Sequence, residues 1–356
     1  MKKNGFWKKK WVPGAACAAA LAVLLSAGAL WDSMQEEKES VFSAQFIMDT
    51  VVEQRLYGKN AKEAVKAAED ALRAFEKEFS AHRQDSVIAQ INRAAGQEAV
   101  PVSERAFELI SRSRRYGELS EGLFDVTVAP VTLGWDITGE NPHVPEPGKL
   151  AELLALVDYR DILLDAQAQT VMLRREGQAL DLGGVAKGAA GDLARQTAQE
   201  YGVRSGYFSI GGNVAVIGCR PDGKDFRFGV RDPLGSAEEY IGTVAFPNRT
   251  MATSGTYERY FVQNGKTYHH IIDPRTGFPC ESDLISVSVI SADGALADYL
   301  STALFIAGKD AALARSSDPD FDFILVDRDK NVYLSDGLRE VFVPNREKKE
   351  YRFHLK

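Results

Sequence analysis

Cysteine is scarce, with three residues in 356, at positions 17, 219 and 280. That excludes a disulfide-built scaffold. No internal repeat or low-complexity tract is visible. A basic excess is also missing: 43 Lys+Arg face 50 Asp+Glu, for a net charge of −7. A general nucleic-acid binder needs a net basic surface to displace counterions, so nucleic acid is not an expected partner. Polar disorder is excluded as well, because 45 % hydrophobic residues can build a normal core. The length fits one large domain or two small ones.

The charge is unevenly spread. Residues 1–31 hold Lys2, Lys3, Lys8, Lys9 and Lys10 and no acid, so the rest of the chain carries 38 bases against 50 acids. Trp11–Trp31 has no charged residue over 21 positions, enough for one helix to cross about 30 Å of hydrocarbon. Lysines before it and Asp32, Glu36, Glu37 and Glu39 after it put the N-terminus in the cytoplasm and the body outside. Two readings stay open: an uncleaved membrane anchor, which is favoured, or a signal peptide cleaved near Ser26-Ala27-Gly28-Ala29. Both export the body. The expected organisation is an anchor or signal over 1–31, a polar acidic linker over 32–45, a catalytic domain over 46–345 and a tail over 346–356.

Along the body, Phe46–Leu56 has strand composition. Ala61–Phe79 is an amphipathic helix, with Val65, Ala68, Leu72, Phe75 and Phe79 at three- and four-residue spacing. Ser103 caps a helix reaching about Leu119, and its Arg-rich 111–115 stretch reads as a solvated face. Pro147–Val157 is a short helix and Thr170–Arg174 a strand. Asp181-Leu-Gly-Gly-Val-Ala-Lys-Gly188 is a glycine-rich turn entering a helix to about Tyr201. Strands follow at Tyr207–Ile210 and Val214–Ile217. Asn264-Gly265 between β-rich runs marks a hairpin. Leu284–Ile290 alternates as a strand, Gly294–Ala307 is a helix ended by Gly308, and Phe321–Val326 with Asn331–Leu334 forms a last hairpin. Strands and helices mix without regular βαβ alternation, which gives an α+β class.

Four stretches could carry chemistry. Asp298 and Thr302 stand four residues apart on one helix face, away from the Leu296/Leu300/Ala303/Ala307 stripe. They are either a solvated face or oxygen ligands for a hard cation such as Mg²⁺, with substrate phosphates completing the shell. Gly183-Gly184-Val-Ala-Lys187-Gly188 is either a structural turn or an anion site at a helix N-terminus. His269 and His270 are adjacent on a strand, so they face opposite ways and cannot chelate one metal from there. A two-residue turn sets His270 opposite Arg259. One of the pair is either a base or an exposed polar residue. Met251-Ala-Thr-Ser-Gly255 and Phe124-Asp-Val-Thr-Val-Ala-Pro130 combine hydroxyls with turn formers. Cys219 and Cys280 either pair or stay as free buried thiols.

Taken in order, the stretches resemble the ApbE family of FAD:protein FMN transferases over about residues 46–310. The matching pieces are Met48-Asp-Thr50; Phe79-Ser-Ala-His-Arg-Gln-Asp-Ser86 with Ile88 and Asn92; Phe124–Pro130 with Gly134-Trp135; Asp181–Gly188; Ser209-Ile-Gly-Gly-Asn213; Ala252-Thr-Ser-Gly255; His270-Ile-Ile-Asp-Pro-Arg-Thr-Gly277; and Ala297-Asp-Tyr-Leu-Ser-Thr302. His82 stands where the family often has Tyr, and Asp49 where Gly is common.

The resemblance implies a T-fold-related architecture of two subdomains with FAD in a central cleft. It implies that Met48 meets the flavin side and that Asp181 and Lys187 meet the nucleotide. His82, Phe124, Asp125, Thr253 and Ser254 belong to the matching stretches and are further expected FAD contacts. The Ala186 carbonyl, Asp298 and Thr302 would hold Mg²⁺, and His270 would take part in transfer. The implied reaction moves FMN from FAD to a Thr or Ser hydroxyl of an acceptor flavoprotein and releases AMP. Two alternatives compete: an FAD pyrophosphatase giving FMN and AMP, and a non-catalytic FAD-binding protein.

Overall fold

The computed structural model describes residues 39–81 and 83–354. The expected N-terminal helix and His82 lie outside the described residues. In chain order the elements are β1 (Ser40–Ile47), β2 (Thr50–Tyr57), α1 (Ala61–Phe79), α2 (Val87–Arg93), β3 (Val100–Pro101), α3 (Glu104–Leu119), α4 (Ala129–Trp135), α5 (Pro147–Leu154), β4 (Ile162–Asp165), β5 (Thr170–Leu173) and α6 (Ala186–Glu200). They continue as β6 (Ser205–Ile210), β7 (Asn213–Ile217), β8 (Arg227–Arg231), β9 (Tyr240–Ala245), β10 (Thr250–Gly255), β11 (Tyr260–Gln263) and β12 (Lys266–His269). The last are β13 (Leu284–Ser291), α7 (Gly294–Ala307), α8 (Lys309–Leu313), β14 (Phe321–Asp327), β15 (Asn331–Leu334), β16 (Val343–Pro344) and β17 (Arg352–His354).

A nine-stranded sheet in the order β1-β2-β6-β7-β10-β13-β14-β15-β17 carries the fold. Helices α1, α6 and α7 cover one face. The apolar stripe of α1, running from Ala61 to Phe79, is buried there with Phe208, Ala252 and Val287 of the sheet. The other face is partly covered by the small sheet β16-β9-β8, across a second core that includes Val216, Phe226, Val230 and Val244. The mixed α+β class is as expected from the sequence.

Several local readings hold. Ser103 Oγ accepts the Ala106 N–H at 3.1 Å and caps α3. Gly308 ends α7 at φ 86°. Asn264 and Gly265 both have positive φ, so a type I′ turn joins β11 to β12.

Other readings change. Phe46–Leu56 is not one strand. Ile47 pairs with Thr50, and Met48 (φ 58°) and Asp49 (φ 55°) form a second type I′ turn. The hairpin begins at Ser40, inside the stretch read as linker. Arg352–His354 pairs in parallel with β15, so part of the expected tail belongs to the main sheet. The α3 basic run is not wholly solvated: Ser113 is buried and Arg112 bridges to Asp293, the N-cap of α7. Cys219 and Cys280 are both free. Among the described residues, no helix is long and apolar enough to cross a membrane.

Candidate active site

The close crossing of α6 and α7 builds the centre of the site. Asp181 Oδ1 accepts the Gly183 N–H at 2.8 Å and shapes the turn entering α6. Seven residues after Asp181, a Cβ on Gly188 would lie 2.0 Å from the Gly294 carbonyl oxygen. Only glycine lets the two helix starts approach this far. The approach brings the Gly188 N–H to Asp298 Oδ2 at 3.0 Å. Asn213 Nδ2 donates to Asp298 Oδ1 at 2.9 Å, and Lys187 Nζ lies 3.9 Å from the same oxygen. Asp298 is 3 % exposed, so it is not part of a solvated helix face. The helix is packed between the sheet and α6, and a carboxylate there must be compensated by donors and charge.

One turn further along α7, Thr302 Oγ1 and Ser301 Oγ stand 3.1 and 2.8 Å from Ser254 Oγ. The neighbouring Thr253 N–H reaches Asn213 Oδ1 at 3.4 Å, and its hydroxyl bonds Ser288 Oγ at 2.8 Å. Asn213 therefore ties β10 to Asp298. Phe124 closes the other side: a Cβ on Gly184 would sit 2.7 Å from its ring and 3.8 Å from Thr302 Oγ1. Phe124 also meets Tyr299 edge-on, with ring centroids 5.1 Å apart.

His270 follows β12. Its backbone N–H donates to the Arg259 carbonyl at 3.1 Å, as the turn geometry requires. Its Nδ1 lies 3.3 Å from the same oxygen. A carbonyl can only accept, so Nδ1 carries the proton and Nε2 presents a lone pair. Nε2 has no hydrogen-bond partner among the described residues. Desolvation, and then the positive charge of Lys187, push the ring down to about 4 from 6.5. His269 differs: both its nitrogens are engaged by backbone, at Cys280 O and Ile271 N. The loop after His270 is fastened by Trp135, whose Nε1 donates to Gly277 O at 2.7 Å.

A cleft of about 350 Å³ opens beside this cluster, lined by Thr50, Gly211, Gly212, Arg231, Thr253, Glu258 and Arg259 among others. Of the expected site residues that are described, only Thr253 lines it directly. Met48 lies two residues before Thr50, with its N–H donating to Glu76 at 2.9 Å. Asp125 holds its own loop: its oxygens accept from Thr127 N, Thr127 Oγ1 and Tyr159 N at 2.7, 2.7 and 2.8 Å. Burial pushes its carboxyl upward against those three bonds.

Known proteins are similar to this chain in sequence and fold. Residues 48–325 match the model of the ApbE family. The chain belongs to the ApbE family. A protein of Klebsiella pneumoniae named FAD:protein FMN transferase is 34 % identical over 275 residues, covering 77 % of this chain and 85 % of its own length. One of Treponema pallidum with the same name is 33 % identical, covering 83 % and 86 %. The crystal structure of the ApbE protein from Thermotoga maritima superposes with a TM-score of 0.75 at 31 % identity, over 88 % of this chain and 99 % of that one. The flavin transferase ApbE from Vibrio cholerae, at 24 % identity and a TM-score of 0.76, shares the fold.

In this ApbE chain no group of three or more His, Cys, Asp or Glu gathers among the described residues. The oxygen donors found near the α6 start are instead one carboxylate (Asp298) and, one turn along α7, one hydroxyl (Thr302). That set suits a hard cation and no soft one. Within the protein, Asp298 is met by the Gly188 N–H, by Asn213 Nδ2 and by Lys187 at 3.9 Å. Three residues lie outside the expected site set. Asn213 stood in the matching Ser209–Asn213 stretch without an assigned role, and it opens the buried strand β7. Glu258 and Arg231 gave no local signal; they enter through tertiary placement. Desolvation pushes the Glu258 carboxyl upward, and Lys187 opposes that shift. Arg231 stacks over the Tyr257 ring at 4.6 Å.

Proposed function

We propose that this chain transfers FMN from FAD to a Thr or Ser hydroxyl of an acceptor flavoprotein and releases AMP. The observation carrying the reading is the buried Asp298, held against the Ala186–Gly188 turn, in a family whose relatives are named FAD:protein FMN transferase. An acceptor hydroxyl is a poor nucleophile at neutral pH and needs a base. His270 supplies one: its Nδ1–H is held by Arg259 O and its Nε2 lone pair is free to take the hydroxyl proton. The acceptor oxygen bonds the FMN-side phosphorus, and the bond from that phosphorus to the bridging oxygen breaks. AMP leaves with the bridging oxygen. Lys187 and the α6 N-terminus set positive potential beside the pyrophosphate.

Under this reading the Ala186 carbonyl, Asp298 and Thr302 hold Mg²⁺. When bound, Mg²⁺ neutralises pyrophosphate charge and eases departure of the leaving group. Phe124, Asp181, Thr253 and Ser254 shape the FAD-binding wall, Met48 faces the flavin, and His82 is the remaining expected contact. Asp125 is a further FAD contact under this reading, and its bonds to Thr127 and Tyr159 hold its loop. We further propose that the N-terminal apolar stretch anchors the chain in the cell membrane with the catalytic domain outside. N-terminal sequencing of the mature protein tests the anchor, and a start near Ala29 or Leu30 contradicts it. Incubation with FAD, Mg²⁺ and an acceptor flavoprotein tests the reaction. AMP release without labelled protein favours the pyrophosphatase instead, and intact FAD favours mere binding.

A further inference from the structure

Strand β8 is the unpaired edge of the small sheet, whose order is β16-β9-β8. Among the described residues, no backbone hydrogen bond reaches its outer side. Two hollows lie between β8 and the β2–β6 face of the main sheet. One, of about 620 Å³, is lined by Arg55, Tyr57, Tyr207, Lys224 and Arg227 among others. The second is the cleft beside the site, lined by Thr50, Gly229 and Arg231. Strands β2 and β8 line both hollows in opposite chain directions, so the two lie in line along β8, with Phe228 packed on Tyr207 between them, and the second is the cleft itself.

Three features describe what fits this groove along β8. Its backbone edge offers strand pairing over the five residues of β8, room for an extended segment of about 15 Å. Its lining holds six cations (Arg55, Arg220, Lys224, Arg227, Arg231, Arg259) against two anions, Asp225 and Glu258. Lys224 makes no ion pair among the described residues. In a body with more acids than bases, this is a local reversal of sign. Beside it, β1 and β2 present an uncovered apolar face, with Phe42, Phe46 and Val51 at 49, 68 and 54 % exposure. Phe42 pairs with Arg55 and Phe46 with Val51 across the hairpin, so all four side chains share that face.

We propose that this groove is the acceptor-docking site: an extended, net-acidic segment of the acceptor flavoprotein adds as a strand to β8 and feeds its Ser or Thr into the cleft. The proposal rests on the transferase reading above. Strand addition supplies affinity through main-chain bonds, and the cationic walls choose an acidic segment. The groove's alignment with the cleft favours the acceptor over a second copy of the chain or its own N-terminal segment.

The test uses the full-length chain and, as probe, a purified flavoprotein domain that the wild type labels from FAD. The variants are Lys224→Glu, Arg55→Glu and the pair. Thermal melting checks that each is folded. The expected result is a fall of about tenfold or more in kcat/KM for the acceptor with the double variant, an unchanged KM for FAD, and partial recovery with an acceptor whose flanking acids are changed to lysine. Unchanged acceptor kinetics in folded variants overturn the docking site while leaving the transferase intact. A changed oligomeric state, or the same loss in a chain beginning at Glu39, assigns the groove to another occupant and also overturns it. If the wild type labels no acceptor but splits or merely binds FAD, the transferase reading itself fails, and the proposal falls with it.

Discussion

The N–H of Gly188 donates to Asp298 Oδ2 at 3.0 Å, joining the first turn of α6 to the middle of α7. That bond exists because neither Gly188 nor Gly294 has a side chain where the helices cross. Gly188→Ala would place a Cβ 2.0 Å from a backbone oxygen and 2.9 Å from Asp298 Cβ. Neither atom belongs to a flexible side-chain end, so the helices must separate. A stability loss of about 1–3 kcal/mol is expected, together with loss of transfer. Urea unfolding and acceptor labelling read the two effects.

Asn213 holds Asp298 on one side and Thr253 on the other. Asn213→Ala removes a buried donor from a buried carboxylate, at a cost of about 1–3 kcal/mol. Asn213→Asp keeps the size but sets a second carboxylate against Asp298, and should be worse for folding without a cation. A Mg²⁺-dependent rise in melting temperature, larger in Asn213→Asp than in the wild type, is the expected outcome.

His270 works as a base only when neutral. Desolvation first, and Lys187 second, lower it to about 4 in the free protein. The acid limb of kcat/KM is therefore expected near pH 4, not near 6.5. Lys187→Gln removes the second cause and should move the limb upward. The stability sign follows too: the unfolded ring binds a proton below about 6.5, so this group's contribution falls as pH drops from there towards 4. His270→Gln should cut transfer by about 10²–10⁴-fold with FAD binding retained.

Cys280 is buried, and burial pushes its thiol up to about 11, whereas Cys219 is half-buried. Brief alkylation of the native protein should modify Cys219 and spare Cys280. Mass mapping after proteolysis checks this.

How far the sequence revealed the site depends on which forces set each residue. Turns and caps were legible because their chemistry is local: Asn264-Gly265, Ser103 and Gly308 each needed only their neighbours. Ordered motifs gave the family, and with it His270 and Asp298. The Met48-Asp49 turn was missed because Met is not a usual type I′ former, and the positive φ of both residues is imposed by the pairing of Ile47 with Thr50. The burial of Asp298 was missed for a related reason. An apolar stripe predicts one packed face, but α7 lies between a sheet and a helix and is packed on several. Glu258 and the β8 edge depend on long-range topology, which periodicity does not carry.

One paired measurement decides whether Asp298 serves an FMN transfer. Wild type and Asp298→Asn are incubated with FAD, Mg²⁺ and an acceptor flavoprotein, and the acceptor is weighed by mass spectrometry and viewed for flavin fluorescence on a denaturing gel. The wild type is expected to add one FMN, as a phosphoester, to a single Ser or Thr with stoichiometric AMP, and chelator or Asp298→Asn to abolish it. An unlabelled acceptor with the wild type, or full Mg²⁺-dependent labelling by Asp298→Asn, would contradict that role.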